Sequence, residues 1–295
     1  MRRIPSTDGV EVAVHDLGGD GPALVLVHAT GFCGGVLGPL AAALSGSFHA
    51  WAIDVRGHGT TATPDGLDFR WTGFSDDVLA VLDWLRVEGA APDGVFGFGH
   101  SSGGAAVLDA EARRPGTFRA LYCYEPIVWP TPPPAASRDL LVEGALRRRD
   151  TFDSRDAARA NFAAKPPFSG LASAALDAYV ACGFEDADGG GGPGGPGGGL
   201  GGGGGPVRLR CRREWEASVY REGLAHDGFS RLGAVECPVV VASGDRWEAL
   251  DRDIVARQAA ALPHGRIETF RGLGHLGPME DPAAVAASVA TALAN

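Results

Sequence analysis

Gly94-Val95-Phe96-Gly97-Phe98-Gly99-His100-Ser101-Ser102-Gly103 is the stretch on which the reading of this chain turns. Gly94 to Phe98 has the make-up of a buried strand, and an apolar helical pattern runs from Ala105 to Ala112, so a serine is caught in the tight turn between the two. The glycines at 99 and 103 suit such a turn, because neighbouring backbones come too close for a Cβ and the residue at the apex is forced into strained dihedrals. A turn of this form, a nucleophile elbow, lifts one hydroxyl clear of a sheet edge. Ser101 is the candidate nucleophile. G-x-S-x-G also arises by chance in a glycine-rich chain, so the surrounding sequence has to support it.

The 295 residues, 45% of them hydrophobic, suffice for one large α/β domain or for a core domain carrying an inserted smaller one. A net charge of -10 argues against a nucleic-acid partner, since phosphate affinity comes from clustered basic residues. The basic runs Arg147-Arg148-Arg149 and Arg208 to Arg213 read as solvated faces. The five cysteines (Cys33, Cys123, Cys182, Cys211, Cys237) are odd in number and widely spaced with no C-x-x-C pair, so reduced, buried thiols are expected, and neither a disulfide framework nor a zinc knuckle. Met1-Arg2-Arg3 is followed by polar residues and proline, and no apolar run is long enough to span a bilayer. A cytoplasmic protein without a membrane partner is expected; its oligomeric state is not legible.

Short β-type runs alternate with helical patterns, which predicts a mostly parallel central sheet with helices on both faces. The strands are expected at Val10 to Leu17, Ala23 to Ala29, His49 to Val55, Gly94 to Gly99, Arg119 to Tyr124, Pro238 to Ser243 and Arg266 to Phe270. Helices are expected at Val36 to Leu44, Phe74 to Val87, Ala105 to Arg113, Asp251 to Leu262 and Pro282 to Leu293, the last with Asp281 as its cap. The rhythm breaks in the middle. Residues 1–126 and 237–295 are expected to form the core, and 127–236 a mainly helical insertion with helices around Arg138 to Arg149, Asp156 to Ala164 and Ala172 to Val180. Within it, Gly189 to Pro206 is almost pure glycine and reads as a flexible surface loop of a hairpin between Asp186 and Val207.

A serine hydroxyl is a weak nucleophile, so it needs a base to take its proton and a carboxylate to orient that base. Val239-Val240-Val241-Ala242-Ser243-Gly244-Asp245 places Asp245 just past a strand's carboxyl end, on the sheet edge that carries the elbow. Gly272-Leu273-Gly274-His275-Leu276-Gly277 puts His275 in a loop after the last strand. Asp245 is the expected acid. Glu125, which ends the strand after the elbow, is a second possibility, and Glu248 a competitor deeper in the following segment.

With Gly99 to Gly103 as elbow and the chain order Ser101, Asp245, His275, the sequence resembles the α/β-hydrolase fold superfamily. Val27-His28-Ala29-Thr30-Gly31-Phe32 resembles its oxyanion loop, with Ala29 where the family often has glycine, and Asp54-Val55-Arg56-Gly57-His58-Gly59 resembles its D-x-R-G-x-G turn. The resemblance implies an inserted cap or lid, catalysis by Ser101, His275 and Asp245, and an oxyanion hole from the backbone N–H groups of Thr30 and Ser102, with Gly31 as the fallback for Thr30. It implies a small-molecule substrate and no metal or organic cofactor. The expected reaction is hydrolysis, through an acyl-enzyme, of an ester, lactone or related acyl bond in a small, apolar substrate.

Other readings of the same residues stay open. A thioester or a carbon–carbon bond beta to a carbonyl would suit the same three groups, and a binding protein could keep the scaffold without catalysis. Gly97-Phe98-Gly99 with Gly103 imitates a dinucleotide turn, with Glu125 as a ribose-binding acid in an oxidoreductase. His28 and His58 read as structural, His100 as turned away from the reacting group, and His226 as touching substrate or lying on the surface. Trp129, Phe152, Phe162, Phe168, Tyr179, Phe184, Trp215 and Tyr220 read mostly as the insertion's own core.

Overall fold

The computed structural model describes residues 1–187, 205–223, 226–247 and 249–294. The strands, in chain order, are β1 (Arg2–Pro5), β2 (Glu11–Gly18), β3 (Ala23–Val27), β4 (His49–Asp54), β5 (Val95–His100), β6 (Phe118–Tyr124), β7 (Thr151–Phe152), β8 (Phe184–Asp186), β9 (Val207–Leu209), β10 (Val239–Gly244) and β11 (Gly265–Phe270). The helices are α1 (Gly38–Leu44), α2 (Trp71–Val87), α3 (Ser102–Arg113), α4 (Ala135–Arg147), α5 (Arg155–Ala163), α6 (Ser173–Gly183), α7 (Arg213–Gly223), α8 (Arg252–Ala261), α9 (Gly277–Glu280) and α10 (Pro282–Leu293).

Eight strands make one sheet in the order β1-β2-β4-β3-β5-β6-β10-β11. The first two pairings are antiparallel and the rest parallel. All five residues of β3, Ala23-Leu24-Val25-Leu26-Val27, are buried because both faces of the sheet are covered. Val25 and Val27 join a cluster built with α2, α3 and α8, whereas Leu24 and Leu26 join one built with α1, α9 and α10. At the edge, β11 is only partly covered, and Ile267 is half exposed. The expected strands fall within one or two residues of those observed. The added edge strand β1 went unread because Arg2-Arg3-Ile4-Pro5 buries a single residue. Asp281 caps α10 as expected, accepting from Ala284 N at 3.0 Å.

Between β6 and β10 the chain forms α4 to α7 and a small antiparallel sheet in the order β7-β9-β8. Helix α7 and strand β7 were not expected; β7 is two residues long and carries no periodic signal. β8 and β9 do pair as a hairpin, with Asp186 opposite Val207. Of the glycine-rich tract 189–206, only Gly205 and Pro206 fall among the described residues. Phe152, Phe162, Phe168, Tyr179 and Phe184 interlock with ring centroids 4.8–6.0 Å apart. Phe32, from the segment after β3, packs on Phe168 and Tyr179 and joins this cluster to the main sheet.

Cys33 and Cys182 are not reduced thiols but form a disulfide, their Cα atoms 6.4 Å apart across 149 residues of sequence. The bond follows from α6 lying against the turn Gly34–Leu37, a proximity that sequence spacing cannot reveal. Cys123, Cys211 and Cys237 are buried and free. The arginines of the basic runs stay at the surface as expected, with Arg148 the exception. Arg208 and Arg210 pair with Glu185, Arg212 with Asp65 and Arg213 with Asp150, while Arg148 is drawn inward onto Glu216. Among the described residues no helix is long and apolar enough to cross a membrane.

Candidate active site

Ser101 stands between β5 and α3 with φ 56° and ψ -115°, a conformation costing a non-glycine residue about 1–3 kcal/mol. Its surroundings hold it there. The Ser101 N–H donates to Tyr124 O at 3.0 Å, and its carbonyl accepts from Ala105 N and Ile127 N, each at 3.1 Å. The elbow glycines are sterically required: a Cβ on Gly99 would lie 2.6 Å from Gly103 O, and one on Gly103 would lie 2.2 Å from Val27 O.

His275 arrives from the loop after β11. Two buried side chains hold that loop, the Tyr124 hydroxyl donating to Gly274 O at 2.9 Å and His100 Nε2–H donating to His275 O at 2.8 Å. The imidazole sets Nε2 3.1 Å from Ser101 Oγ and Nδ1 2.7 Å from Glu125 Oε2. Nδ1–H therefore donates to the carboxylate, leaving Nε2 as the lone-pair nitrogen facing the hydroxyl.

Glu125, not Asp245, is the carboxylate against His275. Glu125 directly follows β6 with φ 42°, its N–H extends the ladder to Ala242 O at 2.8 Å, and its side chain is fully enclosed. Its second oxygen, Oε1, accepts from Gly244 N at 3.1 Å. Asp245 is exposed, and its Oδ1 accepts from Gly272 N at 2.7 Å, closing the turn after β11. The ladder explains the difference. Tyr124 is level with Ala242, so Glu125 stands level with Ser243, whereas Asp245 lies two residues farther on, past the end of β10. Glu248 lies outside the described residues. The dinucleotide reading loses its ribose acid, because both Glu125 oxygens are engaged.

The loop after β3 carries the candidate oxyanion donors. The Gly31 N–H is taken by His58 Nε2 at 3.0 Å, which removes the fallback and leaves Thr30 beside Ser102, whose N–H lies in the first turn of α3. His58 Nδ1–H donates to Arg56 O at 2.9 Å, so the ring must stay neutral, and burial, aided by His28, pushes its pKa down to about 3. His28 is likewise neutral through burial, with Nδ1–H on Ala29 O and Nε2 accepting from Val55 N. Asp54 braces the same loop by accepting from Gly34 N at 2.7 Å and Thr60 N at 2.8 Å. Arg56 is fully enclosed on Asp77, with Nε at 3.0 Å and Nη2 at 2.8 Å. The D-x-R-G-x-G turn is thus a support for the loop after β3. His226 is structural: it stacks on Trp71 at 4.4 Å and donates to Ile127 O at 2.8 Å.

Over this loop lies a polar roof that sequence reading missed. A Cβ on Gly31 would meet Glu216 Oε1 at 2.7 Å and Arg148 Nη1 at 3.2 Å, so both side chains lie against the loop after β3. Arg148 Nη1 reaches Glu216 Oε1 and Oε2 at 2.8 and 2.6 Å, and Nη2 reaches the Tyr179 hydroxyl at 2.6 Å.

Residues 24–288 match the alpha/beta hydrolase family, and the chain belongs to it. Over 117 residues it is 30% identical to the uncharacterized hydrolase YNR064C of Saccharomyces cerevisiae, a match covering 39% of this chain and 40% of that relative. The chain thus spans well under half the length of the curated relative it matches. Among solved structures, E-2-(acetamidomethylene)succinate hydrolase superposes with a TM-score of 0.81 at 20% identity, covering 100% of this chain and 98% of that one. The enol-lactonase from Burkholderia xenovorans LB400 gives 0.69 at 20% identity, over 99% of this chain and all of that one.

Proposed function

We propose that the protein is a serine hydrolase that cleaves an ester, lactone or related acyl bond of a small molecule through an acyl-enzyme. The observation that carries this reading is the continuous chain of hydrogen bonds from Ser101 Oγ through His275 to the enclosed Glu125. In the proposed reaction, Ser101 Oγ attacks the carbonyl carbon while His275 Nε2 takes its proton, and Glu125 holds the imidazole orientation and stabilises its charged form. The negative oxygen of the tetrahedral intermediate receives the N–H groups of Thr30 and Ser102, each worth about 3–4 kcal/mol of barrier in comparable sites. His275 then gives its proton to the departing alcohol, and water, deprotonated by the same nitrogen, releases the acid and restores Ser101. Residues 127–236 serve as the cap over this centre, with their aromatic cluster as its own core.

The test is hydrolysis of p-nitrophenyl butyrate together with labelling by a neutral fluorophosphonate. Wild-type protein is expected to turn over the ester and gain one label at Ser101. Ser101→Ala is expected to lose the label and about 10³-fold or more in kcat with little change in Tm. An unlabelled wild-type protein, or an alanine variant that keeps its rate, overturns the reading.

A further inference from the structure

Strand order assigns sides to the centre. His275 follows β11 and Thr30-Gly31 follows β3, and these strands lie on opposite sides of β5, which carries Ser101. The leaving group has to lie toward His275, which protonates it. The substituent on the oxyanion-loop side, beneath Arg148 and Glu216, is then the acyl part of the substrate.

What waits on that side is a guanidinium with part of its bonding capacity unused. Glu216 occupies Nη1 alone, and the Nε–Nη2 edge, which matches a carboxylate with two parallel N–H donors, holds one neutral acceptor, the Tyr179 hydroxyl. The Nε–H is buried and has no partner among the described residues, an arrangement that costs free energy unless something fills it. Of the side chain's surface 17% is open, but Nε is covered and Tyr179 is fully buried, so an anion reaches this edge only by displacing the Tyr179 hydroxyl. Glu216 balances the Arg148 charge and competes with an incoming anion for it.

Resting on the serine-hydrolase reading above, we propose that Arg148 is a carboxylate subsite, and that the preferred substrates are acyl compounds whose acyl part ends in a second, ionised carboxyl group. The incoming carboxylate takes the Nε–Nη2 edge and displaces the Tyr179 hydroxyl, and Glu216 sets how selective that edge is.

The experiment compares mono-p-nitrophenyl glutarate with its neutral methyl ester as substrates. Wild-type protein is expected to favour the acid in kcat/KM by about 10-fold or more, the scale of a charge-assisted hydrogen bond. Arg148→Met is expected to erase that preference mainly through KM, Arg148→Lys to keep part of it, and Glu216→Gln to enlarge it. In wild-type protein, free glutarate is expected to inhibit competitively and glutaramide not to. A wild-type preference of one, or an Arg148→Met variant in which both esters fall in parallel, overturns the proposal and makes the cluster a structural ion pair. Fluorophosphonate labelling separates the two readings. Labelled protein without acid preference rejects the subsite alone, and unlabelled protein rejects the hydrolase.

Discussion

Glu125 and Asp245 close neighbouring strands of one sheet, yet they live in different physical worlds. Glu125 is enclosed, sits at a strained φ, and has one oxygen on a backbone N–H and the other on His275. Asp245 is exposed and spends its side chain on one turn N–H. An enclosed carboxylate persists only if its charge is met by donors, and that requirement fixes its position. An exposed one is held by little and orders little. The contrast shows that reaching the catalytic edge is not sufficient for an acid; it must be enclosed there with its partners already in place.

The hardest test of that contrast removes the charge at Glu125. Glu125→Gln is expected to lower kcat by about 10⁴-fold, because His275 loses both its orientation and the partner for its charged form. Kinetics on the p-nitrophenyl ester with wild-type Asp245 present checks it, and a loss under tenfold would move the acid elsewhere.

A middle-sized effect extends the division to histidines. His28, His58 and His100 are all buried, and burial lowers the pKa of each, that of His58 to about 3. An unfolded histidine takes its proton near 6.5, so stability from these rings is complete above that pH and is lost as pH falls below it, in the case of His58 down toward 3. The expected slope is at most about 1.4 kcal/mol per pH unit for each ring. Urea unfolding at pH 7, 6 and 5 measures it, and a flat midpoint would mean the rings are open to water. The smallest effect belongs to Asp245→Ala. The expected outcome is a stability loss of about 0.5–1.5 kcal/mol from one turn hydrogen bond and a kcat within about threefold of wild type. Thermal melts with parallel rate assays distinguish this from a catalytic loss.

The elbow, the loop histidine and the alternating core were legible in the sequence because each depends on local constraints. Gly99 and Gly103 answer to backbone clearance, and Leu24 to Val27 answer to burial on both faces. Which carboxylate meets His275 was not legible, since choosing between Glu125 and Asp245 requires knowing that β10 lies beside β6 and in which register. Arg148 was hidden in Arg147-Arg148-Arg149, where its neighbours do look outward: Arg147 pairs with Glu143 on its own helix, and Arg149 lies over the Phe152 ring. Only contact with Glu216, 68 residues away, distinguishes the middle one. The disulfide was lost for the same reason, and its presence bears on the cytoplasmic expectation, since such bonds persist in oxidising surroundings.

That bond also divides the polypeptide unevenly. Cys33 and Cys182 close a covalent ring around residues 34–181, with Ser101 and Glu125 inside it and His275 outside. One protease nick anywhere within the ring leaves the two pieces joined as a single molecule. A nick between Cys182 and His275 leaves the imidazole on a carboxy-terminal fragment with no covalent tie to Ser101, which stays with its serine only as long as the sheet itself holds them together.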